Sequence, residues 1–166
     1  MNKILFLDFD GVLNTEHYQS LLQYQGKPWQ DEYGAFFDPN AVKQLKRIID
    51  ATDADIVVES SWKYLGLDAM KELWEVRNLP GTIIDITPSS VSDEYLLKNL
   101  DTTMLHCKGM EIASWLTEQA NQNIRYAIID DEYVILDSQL PHFILTNPYE
   151  GITEEQANRA ISILNG

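Results

Sequence analysis

The apolar positions fall into short runs separated by longer amphipathic stretches. Lys3 to Phe9 is almost unbroken and ends at Asp10-Gly11. Short apolar runs closed by a turn have the pattern of strands buried on both faces. Ile56-Val57-Val58 within Asp55 to Glu59 repeats it, as do Thr82 to Thr87, Tyr126 to Ile129 and His142 to Leu145. Between these runs the period changes to that of a helix. Asp38-Pro39 supplies an N-cap and a proline at the first helical position, and Val42, Leu45, Ile48 and Ile49 mark one face. Asp68 caps a second helix running to Arg77, with Met70, Leu73 and Trp74 inward. A third spans Gly109 to Gln122 and buries Ile112, Ala113, Leu116 and Ala120. The last opens on Thr153 and Gln156 at capping-box spacing, with Ala157, Ala160, Ile161 and Leu164 on its core face.

Strand and helix alternating in this way predict a three-layer α/β fold of Rossmann-like type. Its sheet is mainly parallel and five-stranded, with helices on both faces. Two stretches do not fit the alternation. Thr15 to Phe37 is rich in aromatic residues, and Pro88 to Cys107 is polar and then irregular, with a short helix expected around Tyr95 to Leu100. Both leave or rejoin the carboxyl edge of the sheet, where ligand crevices form in such folds.

The length of 166 residues suits one domain over 1–166. With one cysteine, Cys107, no internal disulfide exists, which fits a reducing compartment. No apolar run is long enough to cross a bilayer, and no secretory-leader pattern is present, so a cytoplasmic protein is expected. The formal net charge of −14 disfavours extended nucleic-acid binding. Most of that acid reads as a solvated surface.

Some of it ends strands. Asp8 and Asp10 close the first run, two residues apart and so on one side of an extended chain. Carboxylates that close raise each other's pKa, and a cation relieves the repulsion. Their oxygens suit Mg²⁺, which takes one or two carboxylates, waters and substrate phosphate. Asp130-Asp131 ends another apolar run, and parallel strands bring both pairs to one edge. Either pair alone is also ordinary turn chemistry. Ser60 follows the second strand, where a hydroxyl and free amides can bind a phosphoryl oxygen; it precedes Ser61, which is the alternative. Lys108, before Gly109, stands at a predicted helix start, where a cation is unfavourable unless it faces an anion. Lys63 competes for that role. His17, His106, His142 and Cys107 lack metal-ligand spacing and read as structural.

The order Asp8-Phe9-Asp10-Gly11-Val12-Leu13-Asn14, then Ser60-Ser61-Trp62, Lys108 and Asp130-Asp131 resembles the haloacid dehalogenase (HAD) superfamily of phosphohydrolases. The wording is similar to the small HAD domains found alone and in RNA-repair proteins, as is the tail Thr146-Asn147-Pro148 to Gly151-Ile152-Thr153. Glu59 departs from the pattern, an acid where a small or apolar residue is usual. The resemblance implies a nearly capless Mg²⁺-dependent phosphatase acting on a small phosphate monoester. Residues 15–37 would then be a flap or small cap and 88–107 an irregular insert. It implies Asp8 as nucleophile and Asp10 as acid and base, roles that chemistry alone would allow to be exchanged. It also implies a metal site of Asp8, Asp10 (through its carbonyl), Asp130 and Asp131 (through water), with Ser60 and Lys108 holding phosphate. A polynucleotide-end phosphatase is one alternative. A phospho-accepting receiver domain is another, although receivers place their lysine after the last acids.

Overall fold

The computed structural model describes residues 2–89 and 100–166. Side chains that alternate along the first strand, β1 (Asn2–Leu7), set the layers. Leu5 and Leu7 face one side, and Ile4 and Phe6 the other. On the first side they pack with α2 (Pro39–Thr52) through Ala41, Leu45 and Ile48, and with α3 (Leu67–Val76) through Met70, Leu73 and Trp74. The last helix, α5 (Glu154–Asn165), adds Ala157, Ala160 and Leu164 there. On the second side α4 (Leu100–Glu118) contributes Ile112 and Trp115. Phe6 meets the Trp115 ring edge-on, centroids 5.5 Å apart, a contact that adds to plain area burial.

The sheet continues with β2 (Asp55–Val58), β3 (Ile83–Ile86), β4 (Ile124–Asp130) and β5 (Phe143–Leu145). All pairings are parallel, in the order β3-β2-β1-β4-β5. The expected α/β architecture is therefore present. The receiver alternative is disfavoured, because that fold carries the order 2-1-3-4-5. The chain steps outward from β1 to β3, then crosses back to lay β4 on the other side of β1. The reversal opens a crevice between the carboxyl ends of β1 and β4. Register places Leu7 opposite both Val58 and Ile129. The ladder runs one residue further, with Asp8 N donating to Ile129 O and Glu59 N to Leu7 O, both 3.1 Å. Asp8, Glu59 and Asp130 thus stand side by side.

Several boundaries differ from the sequence expectation. β1 stops at Leu7, because Phe9 O already accepts the amides of Val12, Leu13 and Asn14 in a tight turn. A helix, α1 (Glu16–Tyr24), occupies part of the aromatic stretch. Thr15 caps it, its Oγ1 accepting from Tyr18 N (3.0 Å) and donating to Asp38 Oδ2 (2.7 Å). Only Leu22 of that helix is buried, which is why no apolar period announced it. Asp68 is not a cap: α3 starts at Leu67 after Gly66, and Asp68 sits in the first turn, where a carboxylate favours the helix dipole. The expected helix from Gly109 begins at Leu100 and ends at Glu118, leaving Ala120 exposed beyond it. Gly109 marks a close approach rather than a start, since a Cβ there would lie 2.7 Å from Leu136 N. The proposed helix around Tyr95 falls on residues outside those described. No helix among the described residues is long and apolar enough to cross a membrane.

Candidate active site

Three carboxylates meet at the crevice. Asp8 follows β1, Asp130 ends β4 and Asp131 follows it; each offers an oxygen, and these lie within 4.8 Å of one another. Asp8 and Asp130 are buried, and Asp131 is half-buried. Gly11 makes room for the third, since a Cβ on it would overlap the Asp131 carboxylate. Its φ of +74° also suits the reversal after Asp10. Thr146 Oγ1, just past β5, donates to Gly11 O at 2.8 Å and fixes the turn.

Lys108 reaches this group from the middle of α4. Its Nζ lies 2.9 Å from Asp130 Oδ2 and 3.4 Å from Asp8 Oδ2. Its predicted place at a helix start is corrected, so the helix-dipole argument for it does not hold; the acid cluster itself supplies the anions it faces. Lys63, the competitor, is taken up elsewhere, its Nζ 2.6 Å from Glu111 Oε2 and 3.0 Å from Thr87 Oγ1.

The electrostatics follow from crowding. Burial and the neighbouring Asp130 push the Asp8 carboxyl up to about 8, although Lys108 and the Phe9 amide pull the other way. Burial and Asp130 likewise push Asp131 up to about 6. Burial acts upward on Asp130 too, but Lys108, the Glu59 carboxyl and the Glu132 amide outweigh it and hold its pKa low. Burial works against the charge of Lys108, and Glu59, Asp8 and Asp130 more than offset that, raising its pKa. Glu59 is only 2% exposed, and no donor reaches either carboxylate oxygen. Burial and the charge of Asp130 raise its pKa well above the usual range. A proton on Glu59 turns its contact with Asp130 into a hydrogen bond. Asp8, Glu59 and Asp130 therefore share one ammonium, and Asp131 adds a fourth carboxyl beside them. Hard oxygen donors held this close against their own repulsion have the chemistry of a divalent-cation site of the Mg²⁺ kind.

Asp10 stands apart from the three. It is exposed, and its Oδ1 accepts from Asn14 Nδ2 at 2.7 Å and from Trp62 Nε1 at 3.1 Å. Trp62 belongs to a 3₁₀ turn (Ser61–Leu65) capped by Ser60, whose Oγ accepts from Trp62 N at 3.2 Å. Ser60 is buried at the end of β2 and Ser61 is exposed. Trp62 is itself boxed in: Gly34 passes so near that a Cβ would lie 2.6 Å from its ring. Arg77, beyond α3, ties that loop down. Its Nε and Nη2 grip Asp31 at 3.0 and 2.6 Å, Nη2 and Nη1 donate to Gly34 O and Ala35 O, and its guanidinium lies 4.7 Å from the Phe37 ring centroid. Asn14 and Trp62 were within the motifs read from sequence but had no role there. Arg77 gave no sequence signal. His17 pairs with Tyr149, and His142 stacks on Tyr126, away from the carboxylates. The side chains of His106 and Cys107 lie outside the described residues.

No curated protein and no solved structure gives a match. A family model described as the HAD domain in Swiss Army Knife RNA repair proteins matches residues 4–157. That span holds the carboxyl ends of all five strands and every carboxylate named above, and the chain belongs to this HAD family.

Proposed function

We propose that the chain is a Mg²⁺-dependent phosphatase that hydrolyses a small phosphate monoester through an aspartyl phosphate on Asp8. The observation that carries this is the gathering of Asp8, Asp130 and Asp131 within 4.8 Å, with Lys108 Nζ 3.4 Å from Asp8. Asp8, Asp130 and Asp131 would hold the ion, which when bound offsets the charge of carboxylates and phosphoryl oxygens. The Asp10 carbonyl completes that set in this reading.

Asp8 Oδ attacks phosphorus, and the ester P–O bond breaks. The electron pair leaves with the alcohol oxygen, which takes a proton from Asp10 in its acid form. Asn14 and Trp62 occupy one oxygen of Asp10 and leave the other for this transfer. In the second displacement Asp10 takes a proton from water while the water oxygen bonds phosphorus. The bond to Asp8 then breaks and inorganic phosphate departs. Lys108 holds a phosphoryl oxygen as it now holds Asp8 and Asp130. Ser60, whose hydroxyl accepts from Trp62 N, keeps its proton for another.

The test is hydrolysis of a panel of phosphate monoesters with Mg²⁺ and with EDTA. Turnover that requires Mg²⁺ and falls to background in Asp8→Asn is expected. Unchanged turnover in Asp8→Asn removes that residue from the chemistry. The family's description favours a second reading, a phosphatase of polynucleotide ends. The charge of −14 opposes a long nucleic-acid track, though not a terminal phosphate.

A further inference from the structure

Beside the carboxylates a cleft of about 410 Å³ opens over Asp10, Gly11 and Asp131. Asp10 is the residue assigned above to the leaving oxygen. Whatever fills the cleft is therefore the alcohol part of the ester. Two features define what it accepts.

The first is charge. No lysine or arginine lines the cleft among the described residues, and Glu16 adds an acid to Asp10 and Asp131. A leaving group with further phosphates meets only like charge there, which costs affinity. An uncharged alcohol meets no such penalty.

The second is a flat apolar face. Trp29 lines the cleft with 42% of its surface exposed. The backbone around it is fixed, because Phe36 N donates to Trp29 O at 3.0 Å, Gln30 bridges to Ala35, and Arg77 clamps Asp31. An indole on a pinned loop loses little freedom when a ring stacks on it. Polar groups flank it. Gln19 spends its Nε2 on Phe36 O and leaves its Oε1 for a donor, and the Gln23 side chain has no hydrogen-bond partner among the described residues.

Resting on the phosphatase reading, we infer that the substrate is the monophosphate of a neutral, ring-bearing alcohol of nucleoside size. Its ring stacks on Trp29, and Gln19 and Gln23 meet its polar edge. The volume suits one such group. A polynucleotide end would bring a second phosphate into an acidic cleft.

The experiment has a binding arm and a turnover arm. In the binding arm, Asp8→Asn protein with Mg²⁺ is titrated calorimetrically with nucleoside 5′-monophosphates bearing each common base. Adding Trp29→Ala is expected to weaken the best of them about tenfold, and Trp29→Phe to restore most of the loss. In the turnover arm, wild type is expected to prefer that monophosphate over the nucleoside 3′,5′-bisphosphate and a 5′-phosphorylated oligonucleotide by about tenfold or more. Trp29→Ala should lower kcat/KM for the monophosphate relative to glycerol phosphate about tenfold, through KM. Binding that is absent, or indifferent to Trp29, overturns the inference, as does preference for the bisphosphate or oligonucleotide. Trp29-dependent binding in a protein that hydrolyses no monoester leaves the cleft inference standing and overturns the phosphatase reading.

Discussion

Asp8 carries a conflict that defines the site. It is buried beside two other carboxylates, and its carboxyl is pushed up to about 8 from an ordinary value of 3.8. Between those values the folded protein without metal holds more protons than the unfolded chain. Its stability therefore falls as pH rises through that window. Asp131 and Glu59, both shifted upward, act with the same sign. Asp130 is shifted down and acts below the window, while Lys108 is shifted up and acts above it. EDTA-treated protein should thus melt at a lower temperature near pH 8 than near pH 5.5. Added Mg²⁺ should raise the melting temperature most at the higher pH. A melting temperature in EDTA that climbs across this range contradicts the account. Either acid pair alone is ordinary turn chemistry; they were legible in the sequence because two of them close apolar runs that parallel pairing brings to one edge. The bond from Trp62 to Asp10 was not, since Trp62 lies 52 positions away and meets it only through a 3₁₀ turn.

Elements decide how firmly those residues are held. The segment from Trp29 to Phe37 has little regular structure, yet Arg77 binds it through one carboxylate and two carbonyls. Removing the guanidinium leaves Asp31 without its cation. Arg77→Met is expected to cost about 2 kcal/mol in urea unfolding, the scale of hydrogen bonds to charged groups. A change within experimental error would show the clamp to be ornamental. Trp62→Phe keeps an aromatic ring near Gly34 and Phe9 but deletes the donor to Asp10. It should lower kcat about tenfold while leaving KM nearly unchanged; equal losses in both would point to a general distortion instead. Strands and the helices α2 and α5 were legible because period and caps agreed. The start of α4 was misread because Gly109 looks like a break, although contact with Leu136 demands it. The helix α1 was missed because one buried residue makes no pattern.

Across the whole molecule, topology performs the assembly. Reversal of strand order at β1 sets Asp8 beside Asp130 through strand pairing alone, and Thr146 then pins the turn that follows Asp8. Parallel strands were predictable from the alternation of apolar runs with helical stretches, and with them the shared edge on which both acid pairs meet. The cleft toward Trp29 was not, because it depends on a helix and a loop whose positions only tertiary packing fixes. The central claim is that Asp8 takes the phosphoryl group. Asp10→Asn protein should still accept it from an aryl phosphate, whose leaving group needs no acid, and then stall for want of a base. Acid-quenched protein from such a reaction with Mg²⁺ can be weighed intact and mapped by peptide. The account predicts one added phosphoryl group, on Asp8. A phosphoryl group on another residue would contradict it, as would no protein-bound phosphate together with wild-type turnover in Asp8→Asn.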